Sequence, residues 1–209
     1  GAIREAVKQL REGLLGEVYM SRGLCIKWRD TIGHKPEKPV PAGVHYDAWV
    51  GPAPMKPFTE NRFHYNWHWY WDYGNGDLGN QGIHQVDIAR WLLGGKFPVR
   101  VSAMGGKYMF DDDQETPNTL VATFDYVIDG KPKLLVFEVR HWMSNDEGGI
   151  RDGKAKSSKD SNVIGNIVYG SKGYLVVGNG VKTYLGRERE PGPEFTGGGD
   201  NFGNFLDVM

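Results

Sequence analysis

Asn80, His84, Asp87 and Trp91 recur at i, i+4, i+7 and i+11. On a helix that is one stripe, with Ile83, Val86 and Leu93 on a neighbouring apolar face. Imidazole ordinarily titrates near neutrality, so it can take up and return a proton under working conditions. His84, flanked by an amide and a carboxylate, is therefore a workable proton-transfer unit. Asp87 would orient the ring and Asn80 would hold a substrate hydroxyl. A polar stripe that merely faces a neighbouring loop has the same spacing, so spacing alone leaves both readings open.

A second set lies just upstream. From Arg62 to Tyr73, Phe63, Tyr65, Trp67, Trp69 and Trp71 share one parity, and His64, Asn66, His68, Tyr70 and Asp72 share the other. The alternation predicts an extended segment with one aromatic and one hydrogen-bonding edge. Indoles stack on the C–H faces of sugar rings, so Trp67, His68 and Tyr70 are candidate substrate-binding residues. Arg140 and His141, closing a strand, are candidates for the same cleft. His64 and His68 at i, i+4 invite a metal-dependent hydrolase reading, but a third ligand is not evident and the alternation favours an extended chain, so no metal is expected. Asp111–Asp113 reads as an acidic turn.

These residues need elements to position them. Ile3, Val7 and Leu10 predict an amphipathic helix ended by glycine, followed by a strand from Glu17 to about Lys27. A proline-rich connector covers residues 35–43, and His45–Pro54 contains a short helical turn. Asp77 reads as the N-cap of a helix running to Leu93 and stopped by Gly94-Gly95. Strands follow at Val99–Gly105, Leu120–Val127 and Lys133–Trp142, with Asp129-Gly130 as a hairpin turn. Residues 144–162 read as a long mobile loop. A second hairpin covers Val163–Gly178, then a strand Val181–Leu185 and a terminal helix from Asn201. The pattern predicts an α+β fold with helices packed on one face of a large sheet, in a single domain spanning 1–209. No Gly-x-Gly-x-x-Gly follows a strand, so a dinucleotide-binding fold is not expected in these residues.

Composition narrows the partners. The balance of 25 basic and 26 acidic residues offers no electrostatic hold on nucleic acid or anionic membrane. No apolar run approaches the ~18 residues needed to span a bilayer, and the opening residues do not read as a signal peptide. The single cysteine, Cys25, excludes an internal disulfide and reads as a small buried residue.

Gly82-Ile-His84-Gln-Val-Asp87, with Ala89-Arg-Trp-Leu-Leu-Gly94 after it, resembles the Gfo/Idh/MocA family of oxidoreductases. Asp47–Pro54, the Trp-rich run and Tyr169–Leu175 add to the likeness. The resemblance implies the family's C-terminal domain, an α+β unit with a large, mainly antiparallel open sheet (dihydrodipicolinate-reductase-like) that commonly mediates homo-oligomer contacts. It implies that an N-terminal Rossmann domain of the parent protein holds NAD or NADP, largely outside this chain. It also implies action on a carbohydrate-like hydroxyl, with His84 as acid/base, while this chain alone would be inactive. The family's aspartate four residues before that histidine is replaced by Asn80, which leaves Asp87 as the nearest carboxylate and suggests altered chemistry. The substitution also keeps open a non-catalytic carbohydrate-binding or oligomerisation module. Glu37-Lys38-Pro39 has the letters of the family's lysine motif but follows the wrong strand, and Lys38 is not taken as catalytic. The sugar, the choice of NAD or NADP, the oligomer size and the compartment (cytoplasmic or periplasmic) stay open.

Overall fold

In the computed structural model the chain is built around one eight-stranded sheet; residues 1–144, 147, 150, 162–199 and 201–209 are described. Helix α1 (Ala2–Arg11) leads into strand β1 (Val18–Lys27). A long excursion then carries α2 (Tyr46–Val50), two 3-10 turns (Glu60–Arg62 and His64–Trp69), α3 (Gly76–Gly79) and α4 (Gly82–Leu93). The strands β2 (Arg100–Gly106), β3 (Thr119–Ile128), β4 (Lys131–His141), β5 (Val163–Gly170), β6 (Gly173–Gly178), β7 (Gly180–Leu185) and β8 (Glu190–Pro191) follow, then α5 (Asn201–Val208). Their order is β2-β3-β4-β1-β5-β6-β7-β8. Every neighbouring pair is antiparallel except β1 with β4. This is the predicted α+β class with a mainly antiparallel sheet.

Helices α1 and α4 pack on one face. Ala6, Val7 and Leu10 of α1 and Ala89, Leu92 and Leu93 of α4 join Cys25, Leu135, Phe137, Val139 and Leu175 in the main core. Leu24, Ile26, Val163, Ile167 and Val176 form a second cluster on the opposite face, so the centre of β1 is buried on both sides. A strand buried twice reads as a continuous apolar run rather than an alternating one. Helix α4 crosses β1 closely because glycine allows it. A Cβ on Gly23 would lie 3.0 Å from the Gln85 Cβ and 3.1 Å from Phe137, and one on Gly82 would lie 2.9 Å from Phe137. The β3–β4 hairpin turns on Asp129 (φ 53°) and Gly130 (φ 75°), the two positive φ values that match the twist of the flanking strands.

Three local expectations are corrected. The helix predicted from Asp77 to Leu93 is two helices, interrupted at Asn80 and Gln81. Asp77 is not an N-cap: Asn75 precedes α3, while Asp77 lies within α3 and is buried. The aromatic run is not extended over His64–Trp69. With three residues per turn, Tyr65 and His68 meet at 4.9 Å and the two-edged alternation is lost. Most of the loop read at 144–162 lies outside the described residues.

Candidate active site

The site grows from the ends of the one parallel pair. Lys27 closes β1, His141 closes β4, and the two stand in register. Asp77, with its side chain fully buried, is held between them. Its Oδ2 lies 2.8 Å from His141 Nε2 and accepts from Arg29 Nε at 3.1 Å. Oδ1 accepts from Arg29 Nη2 at 3.4 Å and from Asn80 Nδ2 at 3.2 Å, with Lys27 Nζ at 3.8 Å. Burial pushes the Asp77 carboxyl up, but the His141 hydrogen bond and the Arg29 and Lys27 charges outweigh it and hold the group well below the usual carboxylate range. Lys27 also donates to Gln81 Oε1 at 2.8 Å, and Gln81 donates to Gln85 at 2.8 Å. The break between α3 and α4 thus draws the start of α4 onto a buried charge cluster at the carboxyl ends of β1 and β4.

Aromatic rings wall this cluster. The Arg29 guanidinium lies 4.7 Å over Trp69 and 5.6 Å over Tyr65, and donates to the Tyr65 hydroxyl at 3.0 Å. Trp69 is buried and meets His141 edge-on at 5.6 Å. Trp28 stacks on Trp142 at 4.5 Å, while Trp142 adopts φ 87°, rare for a bulky residue. Beside them opens a cleft of about 410 Å³ lined by Trp28, Arg29, Lys35, Tyr65, Asn66 and Gln114, among others.

The acidic turn at 111–113 does more than face solvent. Asp112 is buried and accepts from Thr31 Oγ1 at 3.0 Å and the Ile32 N–H at 3.2 Å. Asp113 accepts from the Lys35 N–H at 2.8 Å and Asn61 Nδ2 at 3.0 Å, and meets His34 at 2.8 Å. Burial raises the Asp113 carboxyl, but these donors hold it below its ordinary range. Two carboxylates therefore pin residues 31–35, which form one wall of the cleft.

The residues singled out from sequence divide in space. Asn80 joins the Asp77 cluster through its amide. His84 is exposed on the first turn of α4, and among the described residues its side chain makes no hydrogen bond or ion pair. Asp87 is exposed and pairs with Arg90 at 2.8 Å. Trp67 stacks on His68 at 3.8 Å and lines a separate hollow with Trp49 and Tyr73. Tyr70 is buried, with Arg62 5.4 Å over its ring. Pleating puts Arg140 and His141 on opposite faces. His141 reaches Asp77, whereas Arg140 pairs with Glu138 at 3.3 Å and with Glu147 on the other side. Lys38 pairs on the surface with Glu60 at 2.8 Å. Among the described residues, no three His, Cys, Asp or Glu side chains group as metal ligands, and no helix is long and apolar enough to cross a membrane.

Arg29, Lys27 and Asp77 were missed as a unit. Asp77 lies 48 residues from Arg29 and 50 from Lys27 in the chain, too far for any periodic pattern. The available signal was a cation directly after the apolar run Leu24-Cys-Ile26, at Lys27, and a histidine closing a strand at position 141.

Gly76, Gly79 and Gly82 are packed against side chains: Thr116 lies 2.9 Å from a Cβ on Gly76, Asn75 fills the space beside Gly79, and Phe137 lies 2.9 Å from a Cβ on Gly82, while Gly74 abuts the His68 backbone.

Residues 2–124 match the model of an oxidoreductase family, C-terminal alpha/beta domain, of the Gfo/Idh/MocA group. Among curated protein sequences, none matches the chain. A levoglucosan dehydrogenase in complex with NADH and levoglucosan is similar in fold, with a TM-score of 0.56 at 14% identity, over 94% of this chain and 44% of that one. An NAD binding oxidoreductase from Klebsiella pneumoniae gives 0.55 at 16% identity, over 99% and 52%. An oxidoreductase from Sinorhizobium meliloti gives 0.54 at 13%, over 95% and 40%. The chain thus spans about half the length of these structures or less.

Proposed function

The chain belongs to the Gfo/Idh/MocA oxidoreductase family through its C-terminal alpha/beta domain, and from that premise we propose that it is the substrate side of an enzyme oxidising or reducing a sugar or glycoside hydroxyl, with His84 moving the proton. The observation that carries this reading is an exposed imidazole on the first turn of α4, where Asn80 and Gln81 tie the helix start to the buried Asp77 cluster beside an aromatic-walled cleft. An exposed, uncommitted ring can approach a hydroxyl oxygen; the cluster keeps the turn that presents it rigid. NAD or NADP would supply the hydride chemistry from another part of the full-length protein, a reading supported by the lack of a Gly-x-Gly-x-x-Gly after any strand in these residues. Within this chain, the aromatic cleft binds and orients the sugar, Asn80 is spent on Asp77, and His84 takes the hydroxyl proton in oxidation or returns it in reduction. Asp87, with Arg90 as its partner, sits one turn on and fixes the local charge.

The ligands of the levoglucosan dehydrogenase of similar fold, levoglucosan and NADH, support a carbohydrate and a nicotinamide as the substrate classes to try. Met104 and Val121, paired and exposed on the sheet face away from α1 and α4, support self-association through the sheet. The deciding experiment compares the full-length protein with its His84→Ala variant on a panel of sugars and glycosides. We expect turnover to fall by about 10²–10⁴-fold, the usual weight of a general acid/base. Unchanged turnover would leave a non-catalytic sugar-binding module, the reading that the commitment of Asn80 to Asp77 favours.

A further inference from the structure

The charge cluster is not balanced. Lys27 and Arg29, with side chains only 13% and 17% exposed, share the single buried carboxylate of Asp77. Buried cations without matching anions are costly, and a second anion offsets that cost. Arg29 also has donors to spare. Nε and one N–H of Nη2 go to Asp77, and one N–H of Nη1 goes to Tyr65, so each terminal nitrogen retains one N–H among the described contacts. Two such N–H groups on a planar guanidinium match the two oxygens of a carboxylate or phosphate. Arg29 lines the cleft, and Lys35 adds a further exposed cation to the same lining. Asp30 is the one carboxylate in that lining; it is exposed and accepts from the Thr31 N–H at 2.8 Å. Lys27, Arg29 and Lys35 therefore outnumber Asp77 and Asp30 by one positive charge, while behind the 31–35 wall Asp112 is matched by Lys107 at 3.4 Å and Asp113 is occupied by His34, Asn61 and the Lys35 N–H.

We propose that the cleft binds a sugar carrying an oxyanion, a carboxylate or a phosphate, with that group on the outer edge of Arg29 and the ring against Tyr65 and Trp28. This names a substrate class for the site and rests on the carbohydrate reading above. The Asp77 bond fixes the fork's orientation before the ligand arrives, and the stack over Trp69 holds its plane. Arg29 is then the residue that separates acidic from neutral sugars, a role apart from the proton transfer given to His84.

Calorimetric titration of the full-length protein with matched sets tests this: glucose, glucuronate and glucose 6-phosphate, and the galactose equivalents. In at least one set an anionic sugar should bind on the order of tenfold tighter than its neutral parent or better. The glucuronate and phosphate arms identify which oxyanion is preferred. Arg29→Gln should bring that ratio close to one. Should Arg29→Gln fail to fold, Arg29→Lys keeps a charge on Asp77 but removes the fork, and must lower the ratio several-fold. Lys35→Gln, on the exposed rim, should lower it by roughly two- to threefold. Equal affinity for neutral and anionic members in every set, or a ratio untouched by the Arg29 variants, overturns the proposal. Preferred neutral sugars turned over in a His84-dependent way would overturn it while leaving the oxidoreductase reading standing. Sugar binding with turnover indifferent to His84→Ala would instead strike the oxidoreductase reading.

Discussion

Replacing Asp77 by Asn keeps the volume and removes the charge, so it isolates what the carboxylate does for the fold. In the wild type that group faces Arg29 at 3.1 Å, His141 at 2.8 Å and Lys27 at 3.8 Å, with no exposed side-chain surface. Its removal leaves two largely buried cations without a counter-charge, a change that typically costs about 3–5 kcal/mol. For a domain of this size each kcal/mol moves the melting temperature by roughly 2–4 °C, so a fall of about 6–20 °C is expected at pH 7. The pH dependence supplies an independent check. The folded carboxyl titrates well below the unfolded one, which lies at about 3.9. Stability from Asp77 is therefore fully present above that pH and is lost as pH falls through the depressed folded value. Thermal melts of the two proteins should stand apart at neutral pH and draw together in acid. A variant melting within about 2 °C of wild type at pH 7 would refute the reasoning, and so would a gap that persists in strong acid.

Two further outcomes follow from packing. Gly23→Ala places a Cβ 3.0 Å from Gln85 and 3.1 Å from Phe137. It should push α4 off β1 at a cost of about 1–3 kcal/mol, read from the denaturant midpoint; an unchanged midpoint would mean that helix and sheet are less closely seated. Burial, and then the Asp77 charge, push the Cys25 thiol up, and the residue is fully buried. Native protein at pH 8 should therefore react with a thiol-specific disulfide reagent orders of magnitude more slowly than protein in denaturant; comparable rates would show that the β1 face opens readily.

The amino-acid sequence by itself determined the features whose causes are local. The spacing of Ile3, Val7 and Leu10 is enough to set the buried face of α1. Asp129-Gly130 supplies the two positive φ values that a tight hairpin needs, and Gly94 follows α4 where the periodicity ends. The motif around His84 was legible as a family resemblance, because six consecutive residues carry it.

Only the tertiary structure decided the rest. Asp77 looked like a helix cap because its near neighbours are glycines. It became a buried charge because β1 and β4, far apart in sequence, run parallel and bring Lys27 and His141 together. Arg140 and His141 are adjacent in sequence, yet the pleat sends one to the open face and one to the cluster. The aromatic run lost its alternation to a 3-10 turn in which Trp69 binds the Glu115 and Thr116 N–H groups through its carbonyl. Periodicity reports which face of an element is apolar, but ion pairs between residues 48 to 64 positions apart leave no periodic trace. The geometry of the cleft was therefore fixed by how the strands assemble and not by any stretch of sequence.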